Sequence, residues 1–169
     1  MTKPFDSLTI LLKLLEPSLS SDQLSALSAQ LDEEQRQALI AEADRQNITP
    51  YLYTLLENLN KSHGIEIPQK EKLNKLHLSM TVQNMLVMHD AEIILRSLQK
   101  ADIPAAGLKG VYLLENIYPD IGTRSMNDID ILIQKKNLAE CIRILEGLGY
   151  RTTGYFNLDD ENLDTKHVP

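Results

Sequence analysis

The chain is short of several things, and each shortage excludes something. It has one cysteine, Cys141, in 169 residues, so no disulfide can form within it, which fits a reducing, cytoplasmic setting. Basic residues are outnumbered, 17 to 24, giving a net charge of −7. General binding to a nucleic-acid backbone or an anionic membrane is therefore disfavoured. No apolar run approaches the roughly 20 residues that span a bilayer. The N-terminal segment "MTKPFDSLTILLKLLEP" is broken by Asp6 and Lys13 and reads as a helix rather than a signal peptide.

What is present is an ordinary globular composition, 43% hydrophobic and 24% charged, in a chain long enough for a real core. Residues 1–100 read as a helical N-terminal region. Helices are expected from about Pro4 to Leu15, through "DQLSALSAQ" behind a Ser20 or Ser21 cap, and through "EEQRQALIAEADRQ" behind an Asp32 cap. "NITPYLYTLLENLNKSHG" starts on Pro50 and stops near Gly64. A long helix follows from Pro68 to about Lys100, with an apolar stripe of Leu73, Leu76, Met80, Val87, Ala91, Ile94 and Leu98. Asn84 interrupts that stripe, either as a buried amide satisfying backbone groups or as a group reaching a ligand.

The pattern changes after residue 100. "IPAAGLKG" reads as a strand and turn, "VYLLENIY" as a helix, "DIDILI" as a strand, and "NLAECIRILEGLGY" as a helix capped by Asn137 with Glu140 three residues on. "YRTTGYF" reads as a further strand. The whole is an α+β chain: residues 1–100 helical, and residues 101–169 an α/β domain with a small mixed sheet.

Chemistry concentrates in "LKGVYLLENIYPDIGTRSMNDIDILIQ". Alternation along a strand sets Asp128 and Asp130 on one face and Ile129, Ile131 and Ile133 on the other. Paired carboxylates so placed suit one or two hard cations such as Mg²⁺ or Mn²⁺, although caps and ion pairs also use this pattern. Two such ions about 3.5–4 Å apart clamp the attacking and leaving oxygens of a phosphoryl displacement. In the turn, Lys109 and Gly110 open a helix whose N-terminus is a ready anion site, or else form an ordinary strand-to-helix turn. Arg124 either contacts phosphates through its planar fork or pairs with Asp128. His63, His77, His89 and His167 lack metal-ligand spacing. Cys141 sits on an expected buried helix face, and the acidic run 158–164 reads as solvated.

A strand, a Gly-bearing turn, a helix and then a strand with Asp-x-Asp resembles the core plan of the polymerase-beta-like nucleotidyltransferase superfamily. "AAGLKGVYLLENIYPDIGTRSMNDIDILI" is more closely similar to an uncharacterised bacterial nucleotidyltransferase family with a Lys-Gly turn, an Arg and then Asp-x-Asp. The resemblance is strong over residues 101–151 and looser over 46–100. It implies that Asp128 and Asp130 are catalytic metal ligands and that Gly107, Lys109 and Gly110 form the nucleotide-phosphate turn. Most of the superfamily has Gly-Ser where this chain has Lys109-Gly110, so the serine's role passes to Lys109 or the backbone.

The implied reaction is Mg²⁺-dependent transfer of a nucleoside monophosphate from an NTP to a hydroxyl acceptor, a small molecule or a protein. The rivals are a non-catalytic nucleotidyltransferase-like module acting with a protein partner, and a purely helical interaction protein with structural aspartates. The superfamily also implies a third carboxylate on a neighbouring strand, yet "YRTTGYF" has no acid, and Asp159, Asp160, Glu161 and Asp164 follow in an expected loop. The expectation is a truncated catalytic domain that binds metal weakly and gains its third acid beyond Pro169 in a longer protein.

Overall fold

The computed structural model describes residues 6–16, 18–118 and 120–151. Helix α1 (Ser7–Leu14) is capped by Asp6, whose carboxylate accepts from the Thr9 N–H at 3.3 Å. Helices α2 (Ser21–Ala29) and α3 (Glu33–Arg45) each begin in a reciprocal capping box, Ser20 with Gln23 and Asp32 with Gln35. Each box satisfies two N–H groups that the first helical turn leaves open. Helix α4 (Thr49–His63) has Pro50 in its first turn and ends at Gly64, whose φ of 68° is in the left-handed region where glycine costs least. Helix α5 (Lys70–Lys100) runs 31 residues.

Leucines of α1, α3 and α4 make the first core, which Leu73 joins from the start of α5. Two more clusters gather at the other end of α5. Ala91 packs with Val111, Leu114 and Met126, and Ile94 and Leu98 pack with Ile103 and Cys141. The long helix therefore serves both halves of the molecule, and its last three turns form one wall of the C-terminal core. Leu76 and Met80 depart from the expected stripe: Leu76 is 37% exposed and Met80 half-buried. Both lie in the middle of α5, between the segments that enter the two cores.

Beyond α5 come strand β1 (Ala105–Gly107), helix α6 (Lys109–Asn116), strand β2 (Ile131–Ile133), a 3₁₀ turn (Lys135–Asn137) and helix α7 (Leu138–Gly147). The fold is α+β, mostly helical with a small sheet, so a purely helical chain is excluded. The strands pair antiparallel, with Ala105 opposite Ile133 and Gly107 opposite Ile131. Among the described residues the sheet is thus a two-stranded antiparallel one rather than mixed. Most of the expected strand 150–156, and all of the acidic run 158–164, lie outside them. Asn137 does not cap α7: the 3₁₀ turn leaves it with helical backbone angles, φ −95° and ψ 0°, instead of the extended ones that a side-chain cap needs. Among the described residues no helix is long and apolar enough to cross a membrane.

The junction of α4 and α5 carries a pH dependence. Glu57 meets Lys70 at 3.0 Å and Lys61 at 3.1 Å, and hydrogen bonds from these two lysines hold its carboxyl below the usual range. A lowered folded pKa means stability that is present above the unfolded value of about 4.3 and lost as pH falls through the folded value. Both lysines are more than half exposed, so the contribution is about 0.5 kcal/mol. In urea titrations Glu57→Gln should flatten the loss of stability between about pH 5 and 3; an unchanged slope would assign that loss to other carboxylates.

Candidate functional site

The two parts of the chemical stretch, some twenty residues apart in sequence, are brought together by the β1–β2 register. The ladder extends past the strands, with the Leu108 N–H donating to the Asp130 carbonyl at 2.9 Å. The turn after β1 therefore lies directly beside the residues that precede β2. Lys109 Nζ reaches Asp130 Oδ1 at 3.2 Å. Asp128 and Asp130 stand in the extended lead-in to β2 rather than within the strand, Asp128 exposed and the Asp130 side chain 30% exposed. On the opposite side Ile129, Ile131 and Ile133 pack toward Ile94, Leu98 and Cys141. The alternation expected of the sequence is present, with acids toward solvent and isoleucines toward the core.

Lys109 is held in the left-handed region, φ 44°, where a residue with a Cβ is strained by roughly 1–2 kcal/mol. Its neighbours fix it there. Leu108 is tied to Asp130, and Gly110 is buried against Met126 so tightly that a Cβ on it would stand 2.7 Å from Met126 Sδ. The close approach that requires glycine at position 110 is thus to Met126. Gly107 is crowded in the same way, since a Cβ there would meet Val111 Cγ1 at 2.7 Å. Among the described residues no side chain caps the first turn of α6, and none of its first residues is acidic. That leaves a helix N-terminus suited to an anion.

The loop between α6 and β2 is held by α5. Asn84 is fully buried; its Nδ2 donates to the carbonyls of Ile121 at 2.5 Å and Arg124 at 2.6 Å, and its Oδ1 accepts from the Met126 N–H at 3.1 Å. The interruption in the apolar stripe is therefore a structural amide, and what it satisfies is the segment leading into the aspartates. Gln83, which the sequence reading passed over, donates to Asn127 Oδ1 at 2.7 Å. Its signal was its place beside Asn84 in the same polar gap. His77 lies 3.1 Å from Asp120 Oδ2, and Gly122 passes so close to α5 that a Cβ would stand 2.6 Å from His77 Nε2.

Arg124 does not pair with Asp128. Its Nη1 is buried with no hydrogen-bond partner among the described residues, an arrangement that is costly unless something arrives to accept the bond. A hollow of about 550 Å³ opens beside β2, lined by Asn127, Asp128, the three isoleucines and Cys141. Burial pushes the Cys141 thiol up, which suits a packing residue rather than a nucleophile. Among the described residues no group of three or more His, Cys, Asp or Glu gathers as a metal site.

Residues 32–168 match the family described as an uncharacterised nucleotidyltransferase. The chain belongs to that family. Membership brings a general nucleotidyltransferase function, and the match starts well before residue 46, taking in α3 along with α4. No curated protein and no solved structure matches the chain. Within the nucleotidyltransferase match lie all the candidate residues: Gly107, Lys109, Gly110, Arg124, Asp128 and Asp130.

Proposed function

We propose that the chain binds an NTP together with Mg²⁺ or Mn²⁺ at Asp128 and Asp130, in a fold of the polymerase-beta-like superfamily. In this reading a nucleoside monophosphate passes to a hydroxyl of a small-molecule or protein acceptor. The observation that carries the reading is the 3.2 Å contact of Lys109 with Asp130, which joins the Lys109–Gly110 turn to the acidic segment that leads into β2. The donor set fits the ion: two carboxylates on one side of an extended segment offer only hard oxygen, and a positive charge already rests on Asp130. The ion's part is to neutralise polyphosphate charge next to the reacting phosphorus.

The chain's own groups supply the rest. Lys109 swings from Asp130 to the polyphosphate as a point charge. Arg124 offers its unpartnered Nη1 to an anionic oxygen, and the uncapped first turn of α6 offers backbone N–H groups. The acceptor oxygen bonds to the α-phosphorus while the bond from that phosphorus to its β-bridging oxygen breaks. Pyrophosphate leaves with that electron pair, and the hydroxyl proton passes to water or a nearby carboxylate. Positioning and electrostatics provide most of the acceleration.

Thermal shift tests the reading. ATP and Mg²⁺ together should raise the melting temperature more than either alone, since stabilisation at a hundred times Kd is about 2.7 kcal/mol. No added shift from the pair would overturn it. Lys109→Ala should weaken NTP binding roughly tenfold by calorimetry with ion binding nearly intact. Lys109→Gly should weaken NTP binding as much, yet melt no lower than Lys109→Ala, because glycine accepts the positive φ. Unchanged NTP affinity in both variants would remove Lys109 from the site.

A further inference from the structure

Helix α5 has a second apolar face that no described residue covers. Opposite the side that carries Ala91 and Leu98 inward, Leu78, Val82 and Met85 are 54%, 59% and 58% exposed. Their spacing of four and then three residues is that of a coiled-coil seam. Continued toward the C-terminus, the same spacing reaches His89, Glu92 and Arg96. Continued toward the N-terminus, it reaches Lys75 and Glu71. Every one of these positions is exposed.

We propose that this seam is the interface of a homodimer, in which α5 of two copies pack antiparallel about a two-fold axis level with Gln83 and Asn84. The order of charges selects the arrangement. In that register Val82 of one copy faces Met85 of the other, and Leu78 faces His89. Outside this centre Lys75 faces Glu92 and Glu71 faces Arg96, so each two-fold pair has opposite charges at its ends. A parallel pairing sets Lys75 on Lys75 and Glu92 on Glu92. Sliding the antiparallel register by one heptad sets Lys75 against Met85 in one direction and Arg96 against Leu78 in the other. Self-complementarity of one patch is what a two-fold interface requires.

The surroundings agree with the register. A cleft of about 850 Å³ runs beside the C-terminal half of α5, with acidic Glu92, Asp102 and Glu115 in its lining and Arg96 the one Lys or Arg among the described residues there. The N-terminal half of the other copy, bearing exposed Lys72 and Lys75, lies along that cleft. Within one copy Arg96 is bonded to Glu92 at 2.6 Å; in the dimer the two extend a network with Lys75 and Glu71.

Sedimentation of the 169-residue chain over about 1–100 μM tests this, with circular dichroism as the check on folding. The wild type should form a dimer, and Val82→Glu with Met85→Glu should make it monomeric. Lys75→Glu and Glu92→Lys should each raise the dimer Kd by roughly tenfold or more. Mixing those two variants, or combining both changes in one chain, should restore it, since each reversed charge then meets its opposite. A wild type that stays monomeric throughout, or single reversals that change nothing, would overturn the proposal. A dimer that survives the double glutamate variant, as one built on another surface would, also overturns it.

Discussion

Asp128→Asn and Asp130→Asn should each weaken Mn²⁺ and Mg²⁺ binding by at least ten- to a hundredfold, roughly the range already reached when only an outer-shell partner of a metal ligand is lost. Neither change should cost much stability. Asp128 is exposed, and the ion pair that Asp130 makes with Lys109 joins a side chain 57% exposed to one 30% exposed, worth under about 1 kcal/mol. The same isosteric change thus separates two accounts. If the carboxylates serve a cation, ion affinity falls while the melting temperature barely moves. Should either variant unfold, or bind the ions as tightly as the wild type, the aspartates are structural and the metal reading fails.

The largest loss of stability is expected at Asn84. Asn84→Ala leaves two carbonyls and one N–H without partners in a buried place, at about 1–3 kcal/mol each where water does not replace the bond. A net cost of about 3–5 kcal/mol in urea denaturation is the expected result. Asn84→Asp should be at least as damaging although it keeps the shape, because it turns an acceptor oxygen toward the Ile121 and Arg124 carbonyls. A cost below about 1 kcal/mol for both variants would mean that the loop holds itself and that Asn84 is not its anchor.

The helical half was legible because its signals are local. Ser20 with Gln23 and Asp32 with Gln35 sit three residues apart, and Pro50 and Gly64 act on their own backbone, so a short window of sequence contains the whole cause. At Asn137 the cap pattern is present, but a 3₁₀ turn sets the backbone angles. Leu76 and Met80 have the right apolar spacing but lie between two cores. Periodicity tells which side chains share a face; it does not tell whether another element covers that face.

At the site, residue types and alternation alone placed Asp128 and Asp130 on one side and the isoleucines on the other, and marked the Lys109–Gly110 turn. Period-2 geometry is a property of the extended backbone and needs no partner. What only the tertiary structure decided is which distant groups meet. The antiparallel register set Lys109 against Asp130, and α5 lent Gln83 and Asn84 to hold the residues before Asp128. Met126 packed so closely on Gly110 that no side chain fits there, and Arg124 was left without the Asp128 partner that sequence proximity suggested. Those outcomes depend on the packing of segments about twenty to forty residues apart, where contact is chosen by shape and by the need to satisfy buried polar groups, and neither is written in a local stretch of chain.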